Sequence, residues 1–373
     1  MTHIQRFIQS HPDTWEQLLT SDPYNLKISR DSEYILFKYN QLSSDFSQPI
    51  VQEARGIIFH ESTWKCVRRA FDKFFNYGEN NATLLDWSTV QVQEKIDGSL
   101  VSAWQDATGN WKYSTNGTIN MWNAVLNDIT YKSFGDVFEA ALRNNELTLD
   151  DLDKLLMPGI CYTFELVSPQ TRVVIPYEKP DLYLIGCRDM TTMQELDPVT
   201  YGELLPIKLP KTYNISSLEE AIRAAEKLPW DEEGYVAVDC NFNRVKIKSP
   251  EWIKAHYVRG NNSVSLESLV QVILDGEQNE FLTYANDYKD KLDDVESRMN
   301  YIWDSMLNYF NKIRGYEQEL RKDFARKVKE YPTYAQDFLF TTYDTKFVKL
   351  YTSVNWNASK WSQIIENLSK YDS

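Results

Sequence analysis

The chain has 373 residues, with 40 lysines and arginines against 54 aspartates and glutamates, so its formal net charge is −14. Such an acidic chain is unlike a protein that coats nucleic acid without specificity, because that class needs a large basic surface. The net charge is compatible with a nucleic-acid enzyme that has a local basic groove. No run of eighteen apolar residues is present, which excludes a predicted membrane span, and the first residues lack a signal-peptide pattern. We therefore expect a cytosolic protein.

The cysteines predict neither a zinc site nor a disulfide framework. They are far apart and form no C-x-x-C pair: Cys66, Cys161, Cys187 and Cys240. Cys161 and Cys240 lie in apolar, strand-like runs, and we expect both to be reduced core residues.

The first two thirds of the chain is predicted to be an α+β domain built on antiparallel sheet. Residues 1–20 have a helical pattern, and from about 33 to 250 the hydrophobic pattern mostly alternates with period two. Helical patterns interrupt this alternation at about 134–156 and 216–227.

The pattern changes near Pro250. Apolar residues from Leu266 to Leu274 follow the spacing of one helix face, with Ser265 as a cap at the start and Gly276 at the end. A second apolar series with spacings of three and four runs from Tyr288 towards Gly315. We therefore predict two domains, 1–254 and an all-helical domain over 255–373.

Lys95 is the strongest candidate for a catalytic residue. It lies in Lys95-Ile96-Asp97-Gly98, directly after a strand-like run, and covalent nucleotidyltransferases present their nucleophilic lysine in this way. A lysine is a poor nucleophile while protonated, and partial burial and neighbouring cations favour the neutral amine. Taken alone, the motif also fits an exposed lysine in a turn.

Lys246 and Lys248 are candidates for those neighbouring cations. They are two residues apart on a predicted strand, so both side chains share one face. Two ammonium groups on one face suit a triphosphate, although a solvated strand face has the same pattern.

Two glutamates lie within a predicted strand or directly before one. Glu165 lies in an apolar run, where it could accept ribose hydroxyls, bind a metal ion or form a structural salt bridge. Glu233 precedes a strong strand and could bind a magnesium ion together with phosphate oxygens. Glu232, beside it, is an alternative.

Three more residues complete a possible nucleotide site. Arg55 opens a strand and Lys73 follows soon after, so both could contact phosphates, and Phe75 could stack on a purine.

In this order, these motifs resemble the ATP-dependent RNA ligases of tailed phages, the tRNA-repair type called RNA ligase 1. The resemblance covers most of residues 30–280 and is carried by the segments at 53–59, 73–76, 95–102, 164–165, 233–238 and 246–249. Tyr39 resembles the tyrosine that lies near the nucleotide, and Asp275 the aspartate linked to magnesium.

The resemblance implies a nucleotidyltransferase domain that uses ATP and Mg²⁺, or Mn²⁺, in three steps. ATP adenylates Lys95, AMP passes to an RNA 5′-phosphate, and a 3′-hydroxyl then expels AMP. The implied partner is RNA, in particular a tRNA with a broken anticodon loop, and the implied location is the host-cell cytosol. We expect a monomer.

One position departs from the family pattern. Asn116 stands where the pattern has a lysine before a glycine, which removes a cationic contact unless Lys112 reaches across.

Three alternatives to an RNA ligase share part of this pattern. DNA ligases and capping guanylyltransferases use the same lysine chemistry. Both usually have a β-barrel domain after the position of the Lys246 and Lys248 pair, where this chain is predicted to be helical. An inactive RNA-binding module could also retain the fold, although Lys95, Glu165 and Glu233 are all present.

The helical tail contains a basic stretch that could contact RNA phosphates. Its residues are Lys312, Arg314, Arg321, Lys322, Arg326, Lys327 and Lys329. Acidic residues are interleaved with them, which favours a solvated amphipathic helix.

Overall fold

A computed structural model describes residues 1–41, 43–257, 264–278, 281–282, 286–313, 321–344 and 356–368. The chain divides into two compact units, Met1–His256 and Tyr257–Ser373, whereas the sequence pattern placed the boundary after residue 254. In the part described, no helix is long and apolar enough to cross a membrane.

The first unit is built on three sheets. Its strands are β1 (Lys27–Asp31), β2 (Tyr34–Lys38), β3 (Arg55–His60), β4 (Cys66–Arg68), β5 (Phe75–Asn76), β6 (Gln91–Glu94), β7 (Ser99–Gln105), β8 (Trp111–Thr115), β9 (Ile160–Val167), β10 (Asp181–Asp189), β11 (Glu195–Leu196), β12 (Thr212–Tyr213), β13 (Gly234–Val238) and β14 (Arg244–Lys248). The sheet orders are β1-β2-β3-β4, β11-β10-β9-β7-β8 and β12-β6-β13-β14-β5.

The sheets are antiparallel apart from one pair. β5 and β14 run parallel, with Val245 opposite Phe75 and Lys246 opposite Asn76. The prediction of an α+β domain built on antiparallel sheet is confirmed.

Helices flank these sheets and form the second unit. They are α1 (His3–Ser10), α2 (Trp15–Leu19), α3 (Pro49–Glu53), α4 (Phe134–Asn144), α5 (Leu149–Leu155), α6 (Pro198–Gly202), α7 (Leu218–Ala225), α8 (Pro250–Tyr257), α9 (Leu266–Asp275), α10 (Lys289–Ile313), α11 (Arg321–Val328), α12 (Thr333–Asp344) and α13 (Ala358–Glu366). Short 3₁₀ turns cover Met121–Asn123 and Asn286–Tyr288.

The helical pattern over 134–156 becomes two helices because a capping motif lies inside it. The hydroxyl of Thr148 accepts the N–H of Asp151, and the Asp151 carboxylate accepts the N–H of Thr148 in return. This reciprocal cap starts a new helix, α5, after the left-handed residue Glu146 (φ 59°).

The helices cover the sheets that hold the site. Phe138 and Leu142 of α4 pack in one core cluster with Tyr162 and Phe164 of β9. Helix α7 packs in the same way on the third sheet, because its small residues Ala221 and Ala225 allow close approach. Rigid layers therefore support the strands on which the predicted site residues lie.

The described part of the second unit is helical, as the sequence predicted. The Ser265 hydroxyl caps α9 by accepting the N–H of Ser268, and Gly276 ends that helix at φ 66°. Helix α10 buries one apolar stripe along its length: Leu292, Val295, Met299, Ile302, Met306, Phe310 and Ile313. The predicted end at Gly315 lies outside the described residues.

The prediction for one cysteine was wrong. Cys66, Cys161 and Cys187 are buried with free thiols, but Cys240 is exposed. It lies in the turn between β13 and β14, where Asp239 accepts N–H groups from Asn241 and Asn243. Strand β13 ends at Val238, two residues before Cys240, so the cysteine lies beyond the apolar run.

Candidate active site

Lys95 is held at the point where β6 leaves its sheet. Its N–H donates to the carbonyl of Gly234 at 2.9 Å, and its Nζ lies 2.6 Å from Oε1 of Glu233. The register between β6 and β13, with Glu94 opposite Tyr235, brings the lysine and this carboxylate together. The Lys95 side chain is 19% exposed, so the amine is sheltered yet reachable.

Lys95 lines a cavity of about 310 Å³. The polar side chains at its wall include Arg55, Asn116, Glu165 and Lys246, and the apolar wall includes Phe74 and Val236. Lys95 and Glu233 also line a smaller cavity of about 90 Å³, together with Tyr177, Asp231 and Glu232. The amine therefore stands between two recesses, both rich in charge.

Glu165 is positioned by the centre of the second sheet. It lies on β9 opposite Leu100 of β7, with apolar neighbours on both sides along the chain. Burial raises the pKa of Glu165 to about 7, against the opposing effect of the Lys95 charge, and the carboxylates of Glu233 and Asp97 raise it further. The pKa of this carboxyl therefore lies close to neutral pH.

Glu233 is buried beside two lysines. Burial raises the pKa of its carboxyl, while the charges of Lys95 and Lys248 oppose that rise. Lys248 lies opposite Gly234 in the pairing of β14 with β13 and is itself buried, with its Nζ 5.0 Å from the Trp252 ring. Lys246 lies on the same face, two residues earlier, and lines the larger cavity.

Arg55 brings an unsatisfied donor to that cavity. Its guanidinium lies 5.5 Å from the Phe74 ring, and its buried Nη1 has no hydrogen-bond partner among the described residues. An orphaned buried donor costs about 1–3 kcal/mol, so an anionic group accepting a bond from it would recover that cost. This observation favours a phosphate-bearing ligand.

Tyr39, Lys73 and Phe75 form a cluster of their own. The Nζ of Lys73 lies 5.5 Å from the Tyr39 ring, 5.8 Å from the Phe75 ring and 5.0 Å from the ring of Phe46. Burial acts to raise the pKa of Tyr39, but the charges of Lys73, Arg55 and Lys38 outweigh it, and the pKa is lowered. The cluster supports Arg55, which shares a hydrogen bond with Tyr39.

The structure places Phe74, and not Phe75, at the wall of the larger cavity, and stacking of Phe75 on a purine stays a prediction. Phe75 is buried, whereas Phe74 lines the larger cavity. Adjacent residues of an extended segment face opposite sides, and only the parallel register with β14 shows which side meets the cavity. Sequence reasoning had no access to that register.

Sequence reasoning gave no separate role to Asp97. Its buried Oδ2 accepts the N–H groups of Val174 and Ile175 at 3.0 and 2.8 Å. These bonds tie the loop after β9 to the lysine motif, and Tyr177 of that loop lines the smaller cavity. The sequence signal that could have indicated a role for Asp97 is its position in the motif, two residues after Lys95.

Asp275 belongs to the second unit, Tyr257–Ser373. It is the last residue of α9, in the second unit, and its Oδ1 accepts a bond from Gln271 at 2.9 Å. Among the described residues, no three His, Cys, Asp or Glu side chains are grouped closely enough to hold a metal ion. A role for Asp275 in metal binding stays a prediction.

The basic stretch of the tail is partly described. Arg326 is exposed, with its Nη1 3.4 Å from Oδ1 of Asp323, one turn earlier on α11. This pairing fits the solvated-helix interpretation, and Arg314 lies outside the described residues.

A family model whose description is RNA ligase matches residues 53–252, more than half of the 373-residue chain. The chain belongs to the RNA ligase family. The matched segment contains Arg55, Lys95, Glu165, Glu233 and Lys246, so every charged residue named at the two cavities lies inside it.

Three relatives of this RNA ligase family member agree with the assignment. It is 28% identical to a protein of Autographa californica nuclear polyhedrosis virus, provisionally named a bifunctional polynucleotide kinase/RNA ligase, over 77% of this chain and 43% of that protein. It is 31% identical to a provisionally named RNA ligase of Thermovibrio ammonificans, over 62% of this chain and 60% of that protein. An RNA ligase of Rhodothermus phage RM378 is 24% identical, over 79% of this chain and 82% of that protein.

The chain thus spans about half the length of the first two relatives.

Proposed function

We propose that this RNA ligase family member joins RNA 5′-phosphate and 3′-hydroxyl ends at the expense of ATP, through adenylation of Lys95. The observation that carries the proposal is the placement of the Lys95 amine, 2.6 Å from Glu233 and at the wall of a cavity that Arg55 and Lys246 also line. A nucleophile, a carboxylate and two cations meet around a space for a nucleotide.

In the first step the Lys95 nitrogen attacks the α-phosphorus of ATP. The N–P bond forms as the bond to the departing pyrophosphate breaks, and the amine must lose a proton. Glu233 lies within hydrogen-bond distance of that amine and can receive the proton. Arg55, with its orphaned donor, and Lys246 hold phosphate oxygens as negative charge develops.

The second and third steps reuse the same groups. An oxygen of the RNA 5′-phosphate attacks the phosphorus of lysyl-AMP and releases the amine of Lys95. A 3′-hydroxyl then attacks the 5′-phosphorus of the RNA-adenylate and AMP departs, which leaves a phosphodiester. The first and third steps move negative charge onto a leaving oxygen, whereas in the second step the leaving nitrogen of Lys95 takes up a proton. Cations at the cavity wall favour all three steps because each one passes through a negatively charged group at phosphorus.

The site also fits a divalent cation. Glu165 and Glu233 are two carboxylates near the lysine, and Mg²⁺ is commonly bound by one or two carboxylates together with substrate phosphates. When bound, Mg²⁺ or Mn²⁺ would neutralise phosphate charge.

A tRNA with a broken anticodon loop is the RNA substrate we propose. The support is the resemblance of the motifs to the tRNA-repair type of phage ligase and the presence of a separate helical unit after residue 256. One relative's name joins polynucleotide kinase to RNA ligase, and end phosphorylation followed by sealing is the chemistry of repair.

The proposal is tested with α-labelled ATP and magnesium, followed by a denaturing gel. We expect the protein to take up acid-labile label and Lys95→Ala to take up none. Lys112→Ala is the matched control, because Lys112 pairs with Asp106 at 3.5 Å and does not line the cavity; it should be labelled like the wild type.

Other outcomes separate the alternatives. Label from GTP instead of ATP would indicate capping chemistry. Labelled protein that seals nicked duplex DNA but not RNA would indicate a DNA ligase. No label from either nucleotide, in folded protein free of bound AMP, would contradict the proposal and favour an inactive binding module.

A further inference from the structure

The position that departs from the family pattern places an uncharged side chain at the cavity wall. Asn116 lines the larger cavity, where the resemblance leads one to expect a lysine. Lys112 does not replace that charge, because it is engaged with Asp106 and lines a different recess, with Trp104 and Trp111.

A buried arginine lies directly behind Asn116. Arg68, the last residue of β4, has an exposed fraction of 0%. Its Nη2 donates to Oδ1 of Asn116 at 3.0 Å and to the hydroxyl of Ser102 at 2.9 Å. Its Nη1 donates to the carbonyl of Arg55 at 3.3 Å and to that of Gly56.

Among the described residues, no acid compensates the charge of this guanidinium. Within the described part of the chain, no carboxylate oxygen lies within ion-pair distance of Arg68, and its Nε has no hydrogen-bond partner. Burial lowers the pKa of Arg68 to about 10, so the group is still a cation at neutral pH. A buried cation without an anionic partner costs free energy, and a nearby anion would offset that cost.

The backbone is shaped to admit the guanidinium. Gly56 has φ 77°, and a Cβ there would lie 2.5 Å from Nη1 of Arg68 and 2.7 Å from the carbonyl oxygen of Asn116. A side chain at position 56 would therefore separate Arg68 from the two strands that it joins.

Asn116 can pass on the effect of this charge. An arginine offers only donors, so the Asn116 atom that faces it must be the oxygen, and the amide NH₂ points away from the guanidinium. A hydrogen bond to a cation polarises the amide, which makes that NH₂ a stronger donor towards an anion.

We propose that Arg68 is a positioning residue that gives this wall of the cavity its positive field, through Asn116 and the backbone of Arg55. The inference rests on the proposed function, because it takes the ligand to be a nucleoside triphosphate. Arg68 selects for the charged phosphates and leaves affinity for the uncharged nucleoside unchanged.

The test measures equilibrium binding of ATP and of adenosine by calorimetry, with Lys95→Ala throughout so that no ligand is consumed. Asn116→Asp adds a carboxylate that neutralises Arg68 while the arginine's packing stays in place. We expect it to weaken ATP binding about tenfold and adenosine binding less than twofold, the size of effect typical of a lost charged contact. Arg68→Gln should do the same.

Two further variants make the test specific. Arg68→Gln combined with Asn116→Lys moves the cation to the cavity wall and should restore the ATP-to-adenosine affinity ratio to within about threefold of the parent. Asn120→Asp is the matched control, because this exposed residue lines the recess that also contains Trp104 and Trp111, away from the proposed nucleotide cavity. Its side-chain oxygen accepts the Trp122 N–H, and a carboxylate can accept the same bond.

The outcomes separate this inference from the proposed function. An unchanged affinity ratio in folded Asn116→Asp overturns the role of Arg68, even if wild-type protein forms lysyl-AMP. Equal losses for ATP and adenosine in Arg68→Gln, without recovery in the double variant, show a packing role and also overturn it. Binding that follows the expected pattern in a protein whose Lys95 takes no label supports Arg68 and contradicts only the ligase proposal.

Discussion

At the scale of single residues, the site is a set of charges whose protonation depends on their neighbours. Glu165 and Glu233 are enclosed close to Lys95, and burial raises the pKa of both carboxyls. Their cost in the folded protein is the free energy of holding negative charge away from water. A ligand that brings positive charge, or hydroxyl donors, offsets that cost.

Stability should therefore depend on pH through Glu165. Its pKa is near 4.5 in the unfolded chain and about 7 in the folded one, so the folded state binds more protons between these values and stability falls as pH rises. Replacing Glu165 with Gln removes this dependence. The difference in unfolding free energy between Glu165→Gln and wild type should shift by about 2 kcal/mol in favour of the variant as the pH rises from 5.5 to 8.

Urea denaturation at both pH values measures this difference. Glu178→Gln, at an exposed position, is the control and should change little with pH. If Glu165→Gln followed the wild-type pH profile, the enclosed carboxylate would not be the source of the effect.

At the scale of elements, the junction between Glu233 and β13 depends on one glycine. Gly234 has φ 136°, and a Cβ there would collide with the carbonyl oxygen of Ile247 and lie 2.7 Å from Cα of Lys248. The same residue's carbonyl accepts the N–H of Lys95. This one backbone position thus contacts the segment that carries the Glu233 carboxylate, the backbone of Lys95 and the backbone of Lys248.

Gly234→Ala should therefore destabilise the first unit by at least 2 kcal/mol and reduce Lys95 adenylation by more than tenfold. Thermal unfolding and label uptake from ATP measure the two effects. Gly109→Ala is the matched control: it also has positive φ, at 87°, but a Cβ there meets nothing within 4 Å. Equal losses in both variants would show that backbone strain alone, without the collision, explains the result.

The elements show what sequence patterns can and cannot reach. Period-two alternation is local, so strands such as β2 and β9 were predictable, as was the capped helix α9. The parallel pairing of β5 with β14 joins residues about 170 positions apart, so it left no local trace in the sequence. Without that pairing, the sequence could not show that Phe74 lines the cavity and Phe75 does not.

The same limit applies to the site. Lys95, Glu233 and Lys246 lie in recognisable motifs, and the structure brings them together. Arg68 has no motif of its own, because its proposed role comes from contacts with two separate strands, β3 and β7, and with Asn116. A buried arginine in sequence looks like any surface arginine.

At the scale of the whole molecule, the cavity and the basic stretch of the tail belong to different units, so their roles can be tested separately. The cavity and its charges lie in Met1–His256, and the basic stretch of the tail lies in Tyr257–Ser373. If the second unit recognises folded RNA, changes there should affect a tRNA substrate and spare a short one.

Charge reversal of Arg326 and Lys327 to Glu tests this. We expect the KM for sealing a nicked tRNA to rise about fivefold or more, because phosphate contacts are electrostatic, with little change for a short oligonucleotide. Lys289 and Lys291, exposed on α10 of the same unit, provide a control with an equal change in net charge. Equal effects on both substrates would contradict a tRNA-specific role for this stretch.

The parallel pairing of β5 with β14 also has a consequence for how the protein is made. A translating ribosome releases Phe75 long before Arg244–Lys248, so β5 must wait for its partner while some 170 further residues are synthesised. Pairings between residues so distant in sequence form slowly, because a long loop must close first. The proposed nucleotide pocket is thus a late product of folding, and we expect chains that end before residue 244 to be unable to bind ATP.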